Sequence, residues 1–206
     1  MKLKVCGLKY RDNIRAIAKL QPEYMGFIFY EDSSRFFNDH IPEITKTIQK
    51  VGVFVNASLD TIKRKIKTHQ LQAIQLHGDE TPEFCAELKK EAVTLIKVFS
   101  INKTFDFSSL STYESVCDYY LFDTKGPLPG GNGYGFDWSI LNNYSSTKPY
   151  FLSGGIGLDD VESIKTFFKT KASTYCYALD VNSKFEIEPG LKNITELEQF
   201  KNELQH

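Results

Sequence analysis

The feature that most constrains this chain is an alternation of short apolar runs with stretches of helical periodicity. Eight runs read as strands: Leu3–Cys6, Tyr24–Phe29, Val51–Asn56, Ala73–Leu76, Thr94–Phe99, Tyr119–Asp123, Pro149–Ser153 and Tyr177–Val181. Seven of them precede a stretch that reads as helix. In the first, Ile14, Ala16, Ile17 and Leu20 recur at helical spacing behind Asp12 or Asn13 as N-cap. Ser58 caps Ser58–Lys67, Pro82–Lys90 is amphipathic, and Val161, Ile164, Phe167 and Phe168 form a stripe along Asp159–Phe168. Thr104–Val116, rich in Ser and aromatics, is the weakest, and Ile194–Leu204 is the last. Strands separated by helices argue for a parallel sheet, and eight is the number that closes a (β/α)₈ barrel. The expectation is therefore an α/β fold with one barrel domain over residues 1–206, an open doubly wound sheet being the alternative. No Pro/Gly/Ser linker separates two blocks of complete elements.

Polar and glycine residues collect at one end of these strands: Cys6-Gly7, Asn56, Gln75-Leu76-His77-Gly78-Asp79, Asp123-Thr124-Lys125, Ser153-Gly154-Gly155 and Asp180-Val181-Asn182-Ser183. In a barrel all these tips meet on one rim, the face that carries active sites. A purely structural barrel needs no such ring.

Composition narrows the partners. With 206 residues, 41% hydrophobic and 25% charged, and a formal net charge of -1, the chain has no basic excess to suggest nucleic acid. Sixteen Phe and eleven Tyr provide for a sizeable core. No run approaches the roughly 20 apolar residues of a membrane span, and no secretory leader is visible. Cys6, Cys85, Cys117 and Cys176 have neither CxxC pairing nor zinc-like spacing. The expected setting is a reducing cytoplasm, and the expected partner a small molecule rather than nucleic acid or membrane.

Individual tips carry chemistry. Gly154 and Gly155 end the seventh strand and precede Gly157 and a helix, where backbone N–H groups and a helix dipole favour a phosphate; a tight turn is the bland reading. Asp123 closes the apolar strand Tyr119–Phe122, where partial desolvation raises a carboxyl pKa and suits it to donating a proton; a helix cap or a partner for Lys125 is the alternative. The loop Gly126–Gly135, with five glycines and two prolines, can fold over a ligand. Arg35 can grip a carboxylate or phosphate with two parallel hydrogen bonds. His77 reads as a proton shuttle, a substrate contact or a packed loop residue. No second His or carboxylate stands at metal-ligand spacing on one element, so a metal is not expected.

These motifs together resemble the phosphoribosylanthranilate isomerase family of tryptophan biosynthesis, along almost the full length. The carriers are KVCGLK at 4–9, GFIFYEDSSR at 26–35, VGVFVN at 51–56, QLHGDE at 75–80, FDTK at 122–125, GGNGYGFDW at 130–138, LSGGI at 152–156 and LDVNSKFE at 179–186, followed by Pro189-Gly190. The resemblance implies a (β/α)₈ barrel without metal or cofactor, monomeric or homodimeric, that turns an aminoaldose into an aminoketose by an Amadori rearrangement. It implies Asp123 as general acid, Cys6 as general base and Arg35 as the holder of the anthranilate carboxylate. It further implies phosphate binding at Gly154, Gly155, Asn182 and Ser183, with Gly7, Gln75, His77 and Asp180 as further substrate contacts. A thiol serves as a base if positive charge lowers its pKa.

Two departures from the family pattern carry expectations. Asn182, Ser183 and Lys184 stand where two serines and a glycine are usual, so Lys184 would strain a turn that needs positive φ or add charge near the phosphate. Asn132 and Tyr134 replace Thr and an often basic residue in the glycine-rich loop, a change expected to be tolerated. Neighbouring phosphate-binding barrels resembling indole-glycerol-phosphate synthase or ribulose-phosphate epimerase would want a set of catalytic lysines or metal ligands, and a non-catalytic binding module would have no use for both Cys6 and Asp123.

Overall fold

The computed structural model describes residues 1–124 and 138–205. The Gly126–Gly135 loop and its Asn132 and Tyr134, together with Lys125, lie outside the described residues. Strands β1 (Lys2–Val5), β2 (Tyr24–Ile28), β3 (Gln49–Phe54), β4 (Ala73–Leu76), β5 (Thr94–Ile101), β6 (Tyr119–Thr124), β7 (Tyr150–Ser153) and β8 (Cys176–Val181) pair in sequence order, all parallel, and β8 closes onto β1. The closed eight-stranded barrel is the expected one; the open sheet is excluded by the β1–β8 pairing.

The two-residue period of a strand sorts its side chains. One set, including Val5, Phe27, Phe54, Leu76, Phe122, Leu152 and Leu179, points outward into the layer shared with the helices. The other fills the barrel with Tyr24, Val51, Ala73, Ile96, Val98, Leu121, Phe151 and Ala178. Two residues beyond Ala73, Leu121 and Ala178 on the same inward face come Gln75, Asp123 and Asp180, so the same alternation that packs the core delivers polar groups to the rim.

Among the described residues, α-helices follow β1, β3, β4, β7 and β8: α1 (Arg11–Lys19), α2 (Leu59–His69), α3 (Pro82–Leu88), α4 (Val161–Phe167) and α5 (Ile194–Gln205). Seven helical stretches were expected. Phe107–Tyr113 after β5 and Trp138–Asn143 before β7 are 3₁₀ turns. The β2–β3 connection carries no helix, because the Phe37 amide bonds the Ile28 carbonyl at 2.7 Å and its ring packs on Phe27 and Phe29, 5.1 and 6.1 Å between centroids. That aromatic plug occupies the place of a helix. Ser58 caps α2 as expected, accepting from the Thr61 amide, and Thr81 does the same for α3. The cap expected for α1 is not formed: Asp12 lies inside its first turn and Tyr10 holds the cap position without a side-chain bond. Asn13 instead exchanges two 2.9 Å hydrogen bonds with the backbone of Lys192. Lys192 belongs to a small hairpin, β9 (Glu186–Glu188) and β10 (Leu191–Lys192), inserted after β8. No helix among the described residues is long and apolar enough to cross a membrane.

Candidate active site

At the C-terminal ends of the strands lies a pocket of about 220 Å³. Cys6, Gln75, His77, Asp123, Gly154, Gly155, Asp180, Asn182 and Ser183 all line it, as the strand tips predicted. Gly7 and Arg35 do not line it but adjoin it. A Cβ on Gly7, whose φ is +73°, would stand 2.5 Å from Asn182 Oδ1 and 2.8 Å from Arg35 Cδ. A glycine there lets the three segments close together.

Cys6 follows β1, its amide bonded to the Val181 carbonyl at 2.9 Å, and is 4% exposed. Gly26 on β2 makes room for it, since a Cβ at Gly26 would lie 2.7 Å from Sγ. Burial pushes the thiol pKa up, and the Lys4 and Lys192 ammoniums pull against it without prevailing. Positive charge does stand by the thiol, as a basic Cys6 requires, but burial outweighs it. Lys4, fully buried, pairs with Asp180 at 2.7 Å; burial opposes its charge, but Asp180 and Cys6 raise its pKa overall. Burial likewise lifts the Asp180 carboxyl despite Lys4.

Across the pocket, Asp123 is partly exposed and faces His77, Nε2 to Oδ2 at 3.6 Å. His77 Nδ1 lies 3.2 Å from Gln75 Nε2. With the Gln75 amide donating to Nδ1, the ring proton sits on Nε2, towards Asp123. Gln75 is buried, and its Oε1 has no partner among the described residues, an acceptor held ready beside the pocket.

Arg35 is not a free clamp. Its Nε and Nη2 form a two-pronged pair with Glu186, at 2.9 and 2.6 Å. Burial alone would raise Glu186, but Arg35 and Lys192 hold its pKa below the usual carboxylate range. Lys192, buried, bonds Glu186 at 2.7 Å and the Asn182 side chain and carbonyl at 2.6 and 3.2 Å. It thus ties the β8 loop to the partner of Arg35. Lys184 has no positive φ; it sits in the 3₁₀ turn Ser183–Phe185, with its stem near Gly157. The feared strain is absent because the turn is right-handed, and Lys184 lines the pocket beside Gly155. Among the described residues no group of three or more His, Cys, Asp or Glu side chains is placed to hold a metal ion.

The family model described as N-(5'phosphoribosyl)anthranilate (PRA) isomerase matches residues 3–203. The chain belongs to this family. It is 43% identical to an N-(5'-phosphoribosyl)anthranilate isomerase of Parabacteroides distasonis, over 100% of this chain and 94% of the relative. It is 41% identical to that of Phocaeicola vulgatus, over 99% and 98%. The crystal structure of phosphoribosyl anthranilate isomerase from Thermotoga maritima superposes with a TM-score of 0.82 at 28% identity, covering 100% of this chain and 98% of the other. Another isomerase of the family, 25% identical with a TM-score of 0.82 over 100% and 98%, was crystallised with reduced 1-(o-carboxyphenylamino)-1-deoxyribulose 5-phosphate. The activity of the chain is the isomerase step of tryptophan biosynthesis, from N-(5-phosphoribosyl)anthranilate to 1-(2-carboxyphenylamino)-1-deoxyribulose 5-phosphate.

For a phosphoribosylanthranilate isomerase, the residues missed by sequence reasoning are Lys4, Glu186 and Lys192. Lys4 was within reach of it, since a residue two before Cys6 on a strand shares its face. Lys192 gives no such signal: its role depends on the hairpin that returns it to β8.

Proposed function

We propose that Cys6 and Asp123 perform the two proton transfers of the isomerisation. The observation that carries this reading is their convergence on one pocket with Gly154, Gly155 and Ser183. The reaction needs an acid at the ribose ring oxygen and a base at C2′, on different sides of one sugar. Asp123 protonates the ring oxygen and opens the ring to a Schiff base. Cys6 removes the C2′ proton, giving an enolamine that tautomerises to the ketone. The phosphate is held by backbone N–H groups of Gly154 and Gly155 with Asn182, Ser183 and Lys184, at a glycine-rich turn suited to an anion. Arg35 turns the guanidinium edge that Glu186 leaves unused towards the anthranilate carboxylate. Gln75, His77 and Asp180 face the sugar, and Gly7 keeps this side open.

The enzyme works in the cytoplasm on this small phosphorylated substrate, as a monomer or homodimer. Four unpaired thiols suit a reducing compartment, and the Thermotoga maritima isomerase, 26% identical and crystallised as monomers generated from a dimeric protein, is a relative of the dimeric class. The test is the fluorescence decay of enzymatically generated phosphoribosylanthranilate with wild type, Cys6→Ser and Asp123→Asn. Folded variants that turn over as fast as wild type would overturn the assignment.

A further inference from the structure

Cys6 has to lose a proton before it can accept one from C2′, and it sits where a lone thiolate is disfavoured. The barrel wall supplies a specific answer. Register places Lys4 of β1 directly beside Asp180 of β8. The two are 0% and 6% exposed and bonded at 2.7 Å. Cys6 stands two residues beyond Lys4 on the same inward face, and the Lys4 ammonium pulls the Cys6 thiol pKa down against burial. One ammonium therefore stands between a buried carboxylate and a buried thiol, and Lys4 does not itself line the pocket.

We propose that Cys6, Lys4 and Asp180 share one proton, with Lys4 as the positioning residue that allows the thiolate to form. This rests on the reading of Cys6 as the base. In the resting arrangement Cys6 is a thiol, Lys4 an ammonium and Asp180 a carboxylate. Lys4 gives a proton to Asp180 and takes one from Cys6, leaving a thiolate, an ammonium and a carboxylic acid. No proton enters or leaves, and the triad carries no net charge before or after. That matters in a buried site, where an uncompensated charge is expensive and a paired one is not. Burial raises the pKa of both Cys6 and Asp180, and Lys4 draws both down, as expected of two buried acids beside one cation. The other charged groups facing Cys6 are Lys192 of β10 and Arg35 of the β2–β3 connection. Those facing Asp180 are Asp123 of β6 and His77 beyond β4.

A triad of this kind predicts shifts of opposite sign. Lys4→Met removes the cation, so the thiolate forms at higher pH. Asp180→Asn removes the competitor, so Lys4 is left to Cys6 alone and the thiolate forms at lower pH. The measurement is iodoacetamide alkylation of Cys6, resolved by peptide mass spectrometry, between about pH 5 and pH 10. The expected displacement is about one pH unit each way, a roughly tenfold change in thiolate at fixed pH. In turnover, Lys4→Met should lower kcat about tenfold or more with little change in KM, and move the pH profile of kcat/KM to higher pH. Lys4→Met leaves Asp180 buried without its partner; if that variant does not fold, the double variant Lys4→Met/Asp180→Asn replaces it and must titrate above Asp180→Asn alone. Unmoved midpoints, or shifts of the same sign in the two single variants, would overturn the triad. Failure of the base assignment is seen separately, as turnover by Cys6→Ser.

Discussion

The two ends of the barrel interior are built from the same strands and obey different rules. At the N-terminal end, Tyr24 packs edge-on against Phe151 at 5.2 Å, and Tyr119 lies tilted against Tyr177 at 4.6 Å, over small and branched residues such as Ala73, Val51 and Ile96. Further towards the C-terminal ends the interior holds Gln75, Asp123 and Asp180, with Lys4 of β1 bonded to Asp180. The first end is held by packing, which is non-directional and tolerates exchange of similar volumes. The second is held by ion pairs and hydrogen bonds, which add little net stability when buried but fix positions closely. A barrel places its chemistry at one end because the other end secures the strands on which it stands.

Substitutions at the two ends should therefore separate activity from stability. The largest effects belong to Cys6→Ser and Asp123→Asn, each expected to lower kcat/KM by about 10²–10⁴ while leaving the unfolding midpoint near that of wild type. Phe151→Ala should do the reverse: it costs about 3–5 kcal/mol in denaturant titrations, with kcat per folded molecule unchanged. Were Phe151→Ala to abolish turnover in the folded state, the division between the ends would not hold. Gly7→Ala lies between these cases. Its φ of +73° and the crowding by Asn182 and Arg35 predict a loss of about 1–3 kcal/mol, together with a higher KM, because the methyl group displaces two substrate-side residues.

A smaller effect sharpens the contrast from outside the barrel. His69, buried between Phe29 and Phe37 with both ring nitrogens unpaired, has its pKa drawn down to about 4 by burial and by nearby Lys65, His40 and Lys50. The unfolded chain takes up a proton near pH 6.5 that the native fold refuses. Stability is thus complete above that pH and falls as pH drops from 6.5 towards about 4, by roughly 1–3 kcal/mol. His69→Phe should flatten this part of the stability profile; an unchanged slope would place its origin elsewhere.

Much of this was legible in the chain itself. The eight strands and the rim of Cys6, Gln75, Asp123, Gly154 and Asp180 follow from a two-residue period ending in polar residues, a local signal. Helix boundaries were harder where aromatic clusters replaced a helix, as with Phe37, or where Asn13, a credible cap, was taken by a strand from the far end of the chain. The engagement of Arg35 by Glu186, and the cradle of Lys192, were not legible, because both depend on the hairpin after β8. The state of Cys6 was half legible. The need for nearby positive charge could be stated, but its source in Lys4 and Lys192, and the dominance of burial over it, are properties of the assembled wall.

The pairing of β1 with β8 also has a consequence in time. Cys6 directly follows the barrel's first strand to be made, whereas Asp180, which bonds Lys4 at a sequence separation of 176, and Lys192, which steadies Asn182, come only with and after its eighth. A growing chain that stops short of β8 holds its thiol without either neighbour. Catalytic competence therefore arrives with the eighth strand and its hairpin rather than accumulating with length, and fragments ending before β8 should stay inert however well their helices form.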